Sequence, residues 1–277
     1  MQDAFAYCAA LVREADRDRY LATLFAPAGQ RGGLHALYAF DAEIRRVRDV
    51  AREPLPGEIR LQWWTDVLSG ERREEANANP VAAALLTTIE QHGLAADALL
   101  DLIEAHRFDL YDDPMGSVAE LESYLQQTSA ALFALAARIL GGADTDAAAS
   151  AGTADGIVRL LYAFPLHAAR HQLYVPREIL DRHKVMPLHI FSAKPTPELT
   201  AALGDLRALA RRHLAAARDL IAALPGETLP AFLPLAPLRA SLDRLERSDP
   251  LAPVELPAWR RQWLIWRASR NPKRIAA

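Results

Sequence analysis

The sequence predicts an all-α fold, arranged as a single domain over residues 1–277. Apolar residues recur at spacings of three and four through most of the chain, which is the period of an amphipathic helix. Alternating runs of β-branched residues, which are typical of strands, are nearly absent. With 277 residues, of which 51% are hydrophobic, the chain can bury one large core, and no linker-like segment divides it.

Segments rich in glycine and proline divide the chain into roughly ten predicted helices. One of these helices has clear ends: Ser117 and Glu120 have the spacing of a capping box, and Gly141 with Gly142 suits a C-terminal cap. The predicted breaks are residues 27–33, 54–57, 70–80, 93, 114–117, 141–146, 187–197, 225–230 and 248–257. We interpret 187–197 as a surface loop.

Composition excludes several classes of protein. A net charge of -3 and a pI near 6.3 argue against a nucleic-acid partner, and the sequence has no zinc-finger or helix-turn-helix signature. Cys8 is the single cysteine, so a disulfide scaffold within one chain is excluded and a reducing compartment fits. We see no signal peptide and no run of about 20 apolar residues that would span a membrane. The expected location is the cytoplasm, with peripheral contact to the inner face of the membrane as the alternative.

The last twenty residues, AWRRQWLIWRASRNPKRIAA, carry six basic side chains and no acidic one. Trp259, Trp263 and Trp266 have helical spacing and fall on one face of the predicted last helix. The ordinary interpretation is that these tryptophans seal the core while the arginines face water. The alternative is that they lie at the head-group level of an anionic membrane.

Four segments of the chain resemble the squalene/phytoene synthase family over roughly residues 4–185. They are RYLATLFAPAGQRGGLHALYAF at 19–40, HRFDLYDD at 106–113, YLQQTSAALFALAARILG at 124–141 and HQLYVPREIL at 171–180. The resemblance implies an isoprenyl synthase-type helical bundle around a central cavity. In that family two aspartate-rich helices face each other across the cavity, where they bind Mg²⁺ and the diphosphate of the substrate.

The first acidic motif is incomplete in this chain. Within LYAFDAEIRRVRDV at 37–50, the final acid is retained as Asp49, but Arg45 stands where the family has its first acid. Residues four apart on a helix project from the same side, so two carboxylates at these positions would hold Mg²⁺ together. Ala42 replaces a family arginine that contacts diphosphate. Asp49 alone would be a weak metal site.

The second acidic motif is absent. Counting back from Tyr174, its two aspartates fall on Ala163 and His167, and Pro165 lies between them and is expected to kink the helix. Asp155 is the only acid between residues 147 and 177.

These losses predict a protein without catalytic residues, metal or other cofactor. Bound metal ions stabilise the charge that develops on a departing diphosphate by several kcal/mol, and one aspartate cannot hold such a metal cluster. Asp109, Tyr38, Arg31 and Tyr124 still match family positions. If the chain is active, Asp49, Asp109 and Tyr38 with Mg²⁺ would carry out the head-to-head condensation of two prenyl diphosphates.

A branch of the family with the same losses is known from an assembly factor of respiratory complex I. The segments closest to that branch are 43–50, 54–64, 107–115 and 165–176. This resemblance implies that the partner is a subunit of a respiratory complex. A third hypothesis is a carrier that binds a prenyl lipid or quinone without converting it.

The run of charges at 41–53 has two interpretations. It is either a solvated helix face with ion pairs Asp41–Arg45 and Arg45–Asp49, or Arg45 and Arg46 point into the cavity and bind an anionic head group without metal. The residues predicted to bind a prenyl lipid, a diphosphate or another anion are Arg45, Arg46, Arg31, Tyr124, His167 and Arg170.

Two further features favour structural roles. His167 and His171 are one helical turn apart and would need His106 or Asp109 to complete a transition-metal site, so a structural role is preferred. Adjacent Trp63 and Trp64 are expected to pack between helices.

Overall fold

The structure is a computed structural model that describes residues 2–51, 53–142 and 146–276. Throughout these ranges the regular structure is helical and contains no strand, which confirms the predicted all-α class. The α-helices of the described residues are α1 (Gln2–Ala15), α2 (Arg17–Thr23), α3 (Ala28–Arg45), α4 (Val47–Val50), α5 (Pro54–Leu68), α6 (Arg73–Ala78), α7 (Pro80–His92), α8 (Ala96–Ala105), α9 (Val118–Leu125), α10 (Ala131–Ile139), α11 (Asp146–Ala169), α12 (Arg177–Arg182), α13 (Pro187–Phe191), α14 (Pro197–Ile221), α15 (Leu238–Glu246) and α16 (Ala258–Arg270).

Two groups of helices form the core. In the first group α3 packs against α1 and α7, and in the second α11 packs against α10 and α14. Because α10 also packs against α3, the two groups share one continuous hydrophobic core. The first acidic motif spans the end of α3 at position 45 and α4 at Asp49, and the second lies on α11, so the candidate site lies where the two groups meet.

The predicted ends of the helix that follows Ser117 are confirmed. The Ser117 hydroxyl accepts from the backbone N–H of Glu120 at 3.2 Å, while the Glu120 carboxylate accepts from the N–H of Gly116 at 2.7 Å. Gly141 has a φ of 83°, a conformation that favours glycine, and closes the helix with Schellman-type hydrogen bonds. A single π-helical turn at Gln126–Ala130 separates α9 from α10.

Several predicted breaks begin helices instead of separating them. Pro27 is the N-cap of α3, and Pro54 is the first residue of α5. Proline is tolerated there because the first N–H groups of a helix have no intrahelical partner. The predicted loop at 187–197 contains the short helix α13, and part of the break predicted at 141–146 lies outside the described residues. Pro165 is accommodated inside α11, which continues to Ala169.

No helix within the described ranges is both long enough and apolar enough to cross a bilayer. The longest helices, α11 and α14, pack against each other in the core.

Candidate functional site

Six charged side chains meet between α2, α3 and α11, and we call them the charge network. They are three aspartates and three arginines, so their formal charges cancel. The aspartate side chains are 3–6% exposed, and the arginine side chains range from 3% to 35%. Such deep burial of carboxylates requires close cationic partners. The members of the charge network are Asp16, Arg19, Asp41, Arg45, Asp155 and Arg159.

Arg19 is the centre of the charge network. Its Nη1 donates to Asp41 on α3 at 3.1 Å, and its Nη2 donates to Asp155 on α11 at 3.2 Å. The guanidinium also lies 5.3 Å from the ring centroid of Tyr38 and 5.7 Å from that of Phe133. One arginine on α2 therefore connects α3 with α11, and aromatic faces stabilise its charge.

Two further arginines complete the network from their own helices. The Nε of Arg45 donates to Asp41 at 2.9 Å, and the Nε of Arg159 donates to Asp155 at 2.8 Å. Each of these pairs has a spacing of four residues, so both partners lie on one helix face. Asp16, the N-cap of α2, forms an ion pair with Arg159 at 2.8 Å. Every carboxylate of the network thus contacts at least two guanidinium groups.

Two aspartates of the network, Asp16 and Asp41, are held in their charged form. Burial by itself would raise the pKa of Asp16 and Asp41, but the neighbouring arginines outweigh it and hold both pKa values below their usual range. Both carboxylates are therefore charged at neutral pH.

The charge network adjoins the positions of the two acidic motifs. Arg45 itself replaces the first acid, and Ala163 and His167 lie one and two turns beyond Arg159 on α11. Among the residues that the structure describes, no group of three or more histidine, cysteine, aspartate or glutamate side chains is placed to hold a metal ion. The residues present do not fit a Mg²⁺ cluster, because the carboxylates already accept from guanidinium groups.

Asp49, the retained acid of the first motif, forms an ion pair with Arg170. Its Oδ1 lies 2.5 Å from Nη1 of Arg170, and both side chains are partly exposed, 52% and 36%. The prediction of an ion pair between Arg45 and Asp49 is wrong, because the helix is interrupted at Arg46 and Arg45 pairs with Asp41 instead. The expected Asp41–Arg45 pair is confirmed. Two predicted site residues, Asp49 and Arg170, therefore neutralise each other.

Asp109 accepts hydrogen bonds from two tyrosines and contacts a histidine. The hydroxyls of Tyr174 and Tyr124 donate to its Oδ1 at 2.7 and 2.9 Å, and Nδ1 of His106 lies 2.6 Å from its Oδ2. Burial and then the negative charge of Asp109 raise the pKa of both tyrosines, so they remain protonated donors. Both Asp109 oxygens therefore have a partner within the protein. We call these four residues the Asp109 cluster.

His167 and His171 point to different partners. The ring of His167 lies 4.6 Å from that of Tyr174, whereas His171 stacks on Phe191 at 4.5 Å. The assumption that they share a helical turn is wrong, because α11 ends at Ala169 and His171 has a φ of 60°. Burial, together with the nearby charge of Arg170, lowers the pKa of His167 to about 4, so this side chain is neutral at pH 7.

The other predicted anion-binding residues are spread apart. Arg31 donates from Nε to the backbone carbonyl of Ala26 at 2.8 Å and so fixes the turn before α3. Arg46 is exposed and lines an outer groove of about 480 Å³ with Trp63 and Trp64. Trp64 is 4% exposed, and its ring packs edge-on against a phenylalanine, as the packing interpretation predicts. Of the six predicted residues, Tyr124 and His167 meet at the Asp109 cluster.

Sequence reasoning missed Asp16, Arg19 and Arg159. The signal was present in part, because Asp155 and Arg159 are isolated charges in an otherwise apolar stretch at helical spacing. Buried charges in such a stretch call for partners elsewhere in the fold. Those partners are distant in sequence and only the folded chain brings them together.

A family model described as squalene/phytoene synthase matches residues 12–267. The chain belongs to the squalene/phytoene synthase family. Among its relatives is the rat protein named NADH dehydrogenase (ubiquinone) complex I, assembly factor 6, which is 31% identical over 89% of this chain and 75% of its own. The human protein of that name is 30% identical over 88% of this chain and 74% of its own length. A phytoene synthase from Thermus thermophilus is 28% identical over 90% of this chain and 86% of its own length.

Solved structures of this family share the fold. A dehydrosqualene synthase in complex with a ligand is 16% identical, covers 98% of this chain and 97% of its own, and gives a TM-score of 0.81. The squalene synthase HpnC from Alicyclobacillus acidocaldarius is 21% identical, covers 87% of this chain and 92% of its own, and gives a TM-score of 0.74. The expected isoprenyl synthase-type helical fold is confirmed.

Proposed function

We propose that this member of the squalene/phytoene synthase family is not a prenyltransferase and that it helps to assemble or stabilise respiratory complex I. The proposed partner is supported by similarity to proteins named complex I assembly factor 6, which reaches 31% identity over 89% of the chain. The absence of catalysis is argued from the site. Its single strongest observation is Arg45, a cation at the first acid position that donates to Asp41 at 2.9 Å.

Each remaining acid of the site has a partner that competes with Mg²⁺. Asp49 pairs with Arg170, Asp109 accepts from two tyrosines, and the buried aspartates accept from the arginines of the charge network. Binding Mg²⁺ needs several oxygen ligands at about 2.0–2.1 Å and in near-octahedral arrangement. Building such a site here would require these pairs to break and would leave guanidinium groups beside the metal.

The fixed cations also weigh against productive diphosphate binding. Arg45 and Arg159, the half-exposed arginines of the charge network, already satisfy buried carboxylates. Turning either one toward a diphosphate would leave a buried aspartate with one guanidinium partner fewer, which is unfavourable. In this proposal the charge network holds α2, α3 and α11 together and the fold acts as a scaffold.

A second candidate function is the head-to-head condensation of two prenyl diphosphates. The 28% identity to a phytoene synthase over 90% of the chain favours it, as does the retention of Asp109 and Tyr38. This candidate requires Mg²⁺-dependent release of diphosphate. A carrier for a prenyl lipid or quinone is distinguished by saturable binding of that lipid without release of any product.

The proposed function is tested in the host that encodes the protein. Disruption of the coding sequence is expected to lower the amount of assembled complex I, measured by native electrophoresis with an in-gel NADH dehydrogenase stain. The wild-type sequence and Asp49→Asn are both expected to restore it, because Asp49 is half-exposed and serves no catalytic step in this proposal.

Two outcomes would overturn the proposal. Unchanged complex I after disruption rules out the assembly role. Failure of Asp49→Asn to restore complex I, with the variant protein present at wild-type level, would show that the carboxylate is needed for chemistry.

A further inference from the structure

Helix α16 presents three tryptophans to solvent. Trp259, Trp263 and Trp266 are 69%, 46% and 50% exposed. Their spacing of four and three residues places them along one face of the helix. The expectation that they seal the core is therefore wrong, because the buried positions of α16 are Ile265 and Ala268. Large exposed apolar side chains grouped on one face mark an interaction surface.

Basic side chains accompany the tryptophans. The guanidinium of Arg267 lies 4.9 Å from the ring centroid of Trp263, and that of Arg270 lies 5.7 Å from that of Trp266. The segment from residue 258 to 277 contains no acid. Arg260, Arg270, Lys273 and Arg274 are exposed. The surface thus combines aromatic rings with an excess of positive charge.

The helix is fixed to the body of the protein by its opposite side. It packs against α2 and the 226–235 segment, and Arg261 forms an ion pair with Asp18 of α2 at 3.4 Å. Leu24 and Phe25, which follow directly on α2, are also exposed. The tryptophan side chains are therefore exposed to solvent while the opposite side of α16 stays packed against the body of the protein.

We propose that this tryptophan face of α16 binds the surface of an anionic lipid bilayer, with the helix axis in the membrane plane. Tryptophan favours the head-group level, where its ring is in apolar surroundings and its N–H meets water. The arginines and Lys273 would contact lipid phosphates, to which guanidinium groups donate paired hydrogen bonds. A bilayer fits better than a protein groove because the face is basic and free of acids along its length.

This proposal stands apart from the role in complex I assembly, since it rests on α16 alone. It is tested by co-sedimentation of the purified full chain with vesicles of phosphatidylcholine, with and without phosphatidylglycerol. Wild-type protein is expected to bind the anionic vesicles and to be released by salt, since screening weakens attraction between surface charges. Binding to neutral vesicles is expected to be about tenfold weaker or more.

Two sets of substitutions separate the aromatic and basic contributions. The first variant combines Trp259→Ser, Trp263→Ser and Trp266→Ser. The second combines Arg260→Glu, Arg270→Glu and Lys273→Glu. Each variant is expected to bind anionic vesicles at least about tenfold more weakly than wild type. The matched control is Leu55→Ser with Ile59→Ser, which removes two side chains on α5 that are 70% and 64% exposed, and it is expected to change nothing. Circular dichroism melts check that all variants fold.

The proposal is overturned if wild-type protein does not sediment with anionic vesicles. It is equally overturned if the tryptophan variant binds as well as wild type, or if the α5 control loses binding to the same degree as the tryptophan variant. Equal binding to neutral and anionic vesicles would contradict the role given to the basic side chains.

Discussion

Asp41 on α3 and Asp155 on α11 accept hydrogen bonds from the two terminal nitrogens of a single guanidinium, that of Arg19, at 3.1 and 3.2 Å. Helix α3 ends at the first position of the first acidic motif, and α11 carries both positions of the second. In this chain the link between them is a cation built into the protein. The link is therefore permanent and does not depend on substrate or metal.

Replacing Arg19 tests whether the charge network holds the fold together. Arg19→Ala leaves two carboxylates buried without their shared partner, and breaking such a pair typically destabilises a protein by about 3–5 kcal/mol. We expect a loss of this order in the free energy of unfolding, measured by urea denaturation. The control is Arg182→Ala, which removes an ion pair to Asp205 with side chains 59% and 37% exposed. That variant is expected to lose less than about 1 kcal/mol. Equal losses in the two variants would contradict the structural role of Arg19.

The charge network also predicts how stability depends on pH. The pKa values of Asp16 and Asp41 are lowered in the folded protein, because the arginines outweigh the effect of burial. Their contribution to stability is complete above the unfolded value of about 3.9 and is lost as pH falls below it. We expect the free energy of unfolding, measured by urea titration between pH 3 and pH 6, to fall steeply only below about pH 4. A flat profile down to pH 3 would contradict the network's electrostatics.

Asp18 is expected to have the opposite effect on how stability depends on pH. Burial raises the pKa of Asp18 to about 6, and the nearby charge of Arg261 only partly offsets it. The folded protein therefore holds this proton more tightly than the unfolded chain, and stability from Asp18 falls as pH rises between about 4 and 6. Asp18→Asn is expected to remove that slope. The two profiles should differ in this window and run parallel above it; parallel profiles throughout would contradict the raised pKa.

Restoring one acid is not expected to restore a metal site. Arg45→Asp recreates the four-residue spacing with Asp49, but Ala163 and His167 still lack carboxylates. We expect no saturable heat of Mg²⁺ binding in titration calorimetry. We also expect lower stability, because the new carboxylate lies beside the buried Asp41, which then keeps only Arg19 as a cationic partner. The comparison variant carries Ala163→Asp and His167→Asp as well. Stoichiometric Mg²⁺ binding by Arg45→Asp alone would show that other acids complete the site.

Two glycines provide a test of the helix packing around the site. A Cβ on Gly152 of α11 would lie 2.2 Å from Cα of Ala130, a backbone atom that cannot give way easily. Gly152→Ala is therefore expected to lower stability by at least about 1–3 kcal/mol. Gly29 lies within α3, and a Cβ added there would meet no atom within 4 Å. Gly29→Ala is expected to raise stability by about 0.5–1 kcal/mol, because alanine favours helix. Thermal melts are expected to show a lower melting temperature for Gly152→Ala and a higher one for Gly29→Ala.

The fold was predictable because its signals are local. The cap at Ser117, the C-terminal glycine at Gly141 and the apolar period each depend on residues a few positions apart. The charge network was not predictable, because Arg19 reaches Asp41 across 22 positions and Asp155 across 136. Among its contacts, the i,i+4 pairs Asp41–Arg45 and Asp155–Arg159 were accessible to sequence reasoning, and only the first was predicted.

The last helix shows a second limit of sequence reasoning. Periodicity correctly placed Trp259, Trp263 and Trp266 on one face, but the period of a helix does not say whether that face meets the core or the solvent. The smaller Ile265 and Ala268 are buried instead. Packing against α2 and the 226–235 segment decides the orientation, and that packing depends on the whole fold.

We propose that this protein does not transfer prenyl groups. The most direct measurement incubates purified protein with farnesyl or geranylgeranyl diphosphate, with and without Mg²⁺, then quantifies released diphosphate and extracts products. An active squalene or phytoene synthase, run in parallel, is the control. We predict no release above the protein-free background in either condition. Mg²⁺-dependent release of diphosphate with a thirty- or forty-carbon hydrocarbon product would contradict the account.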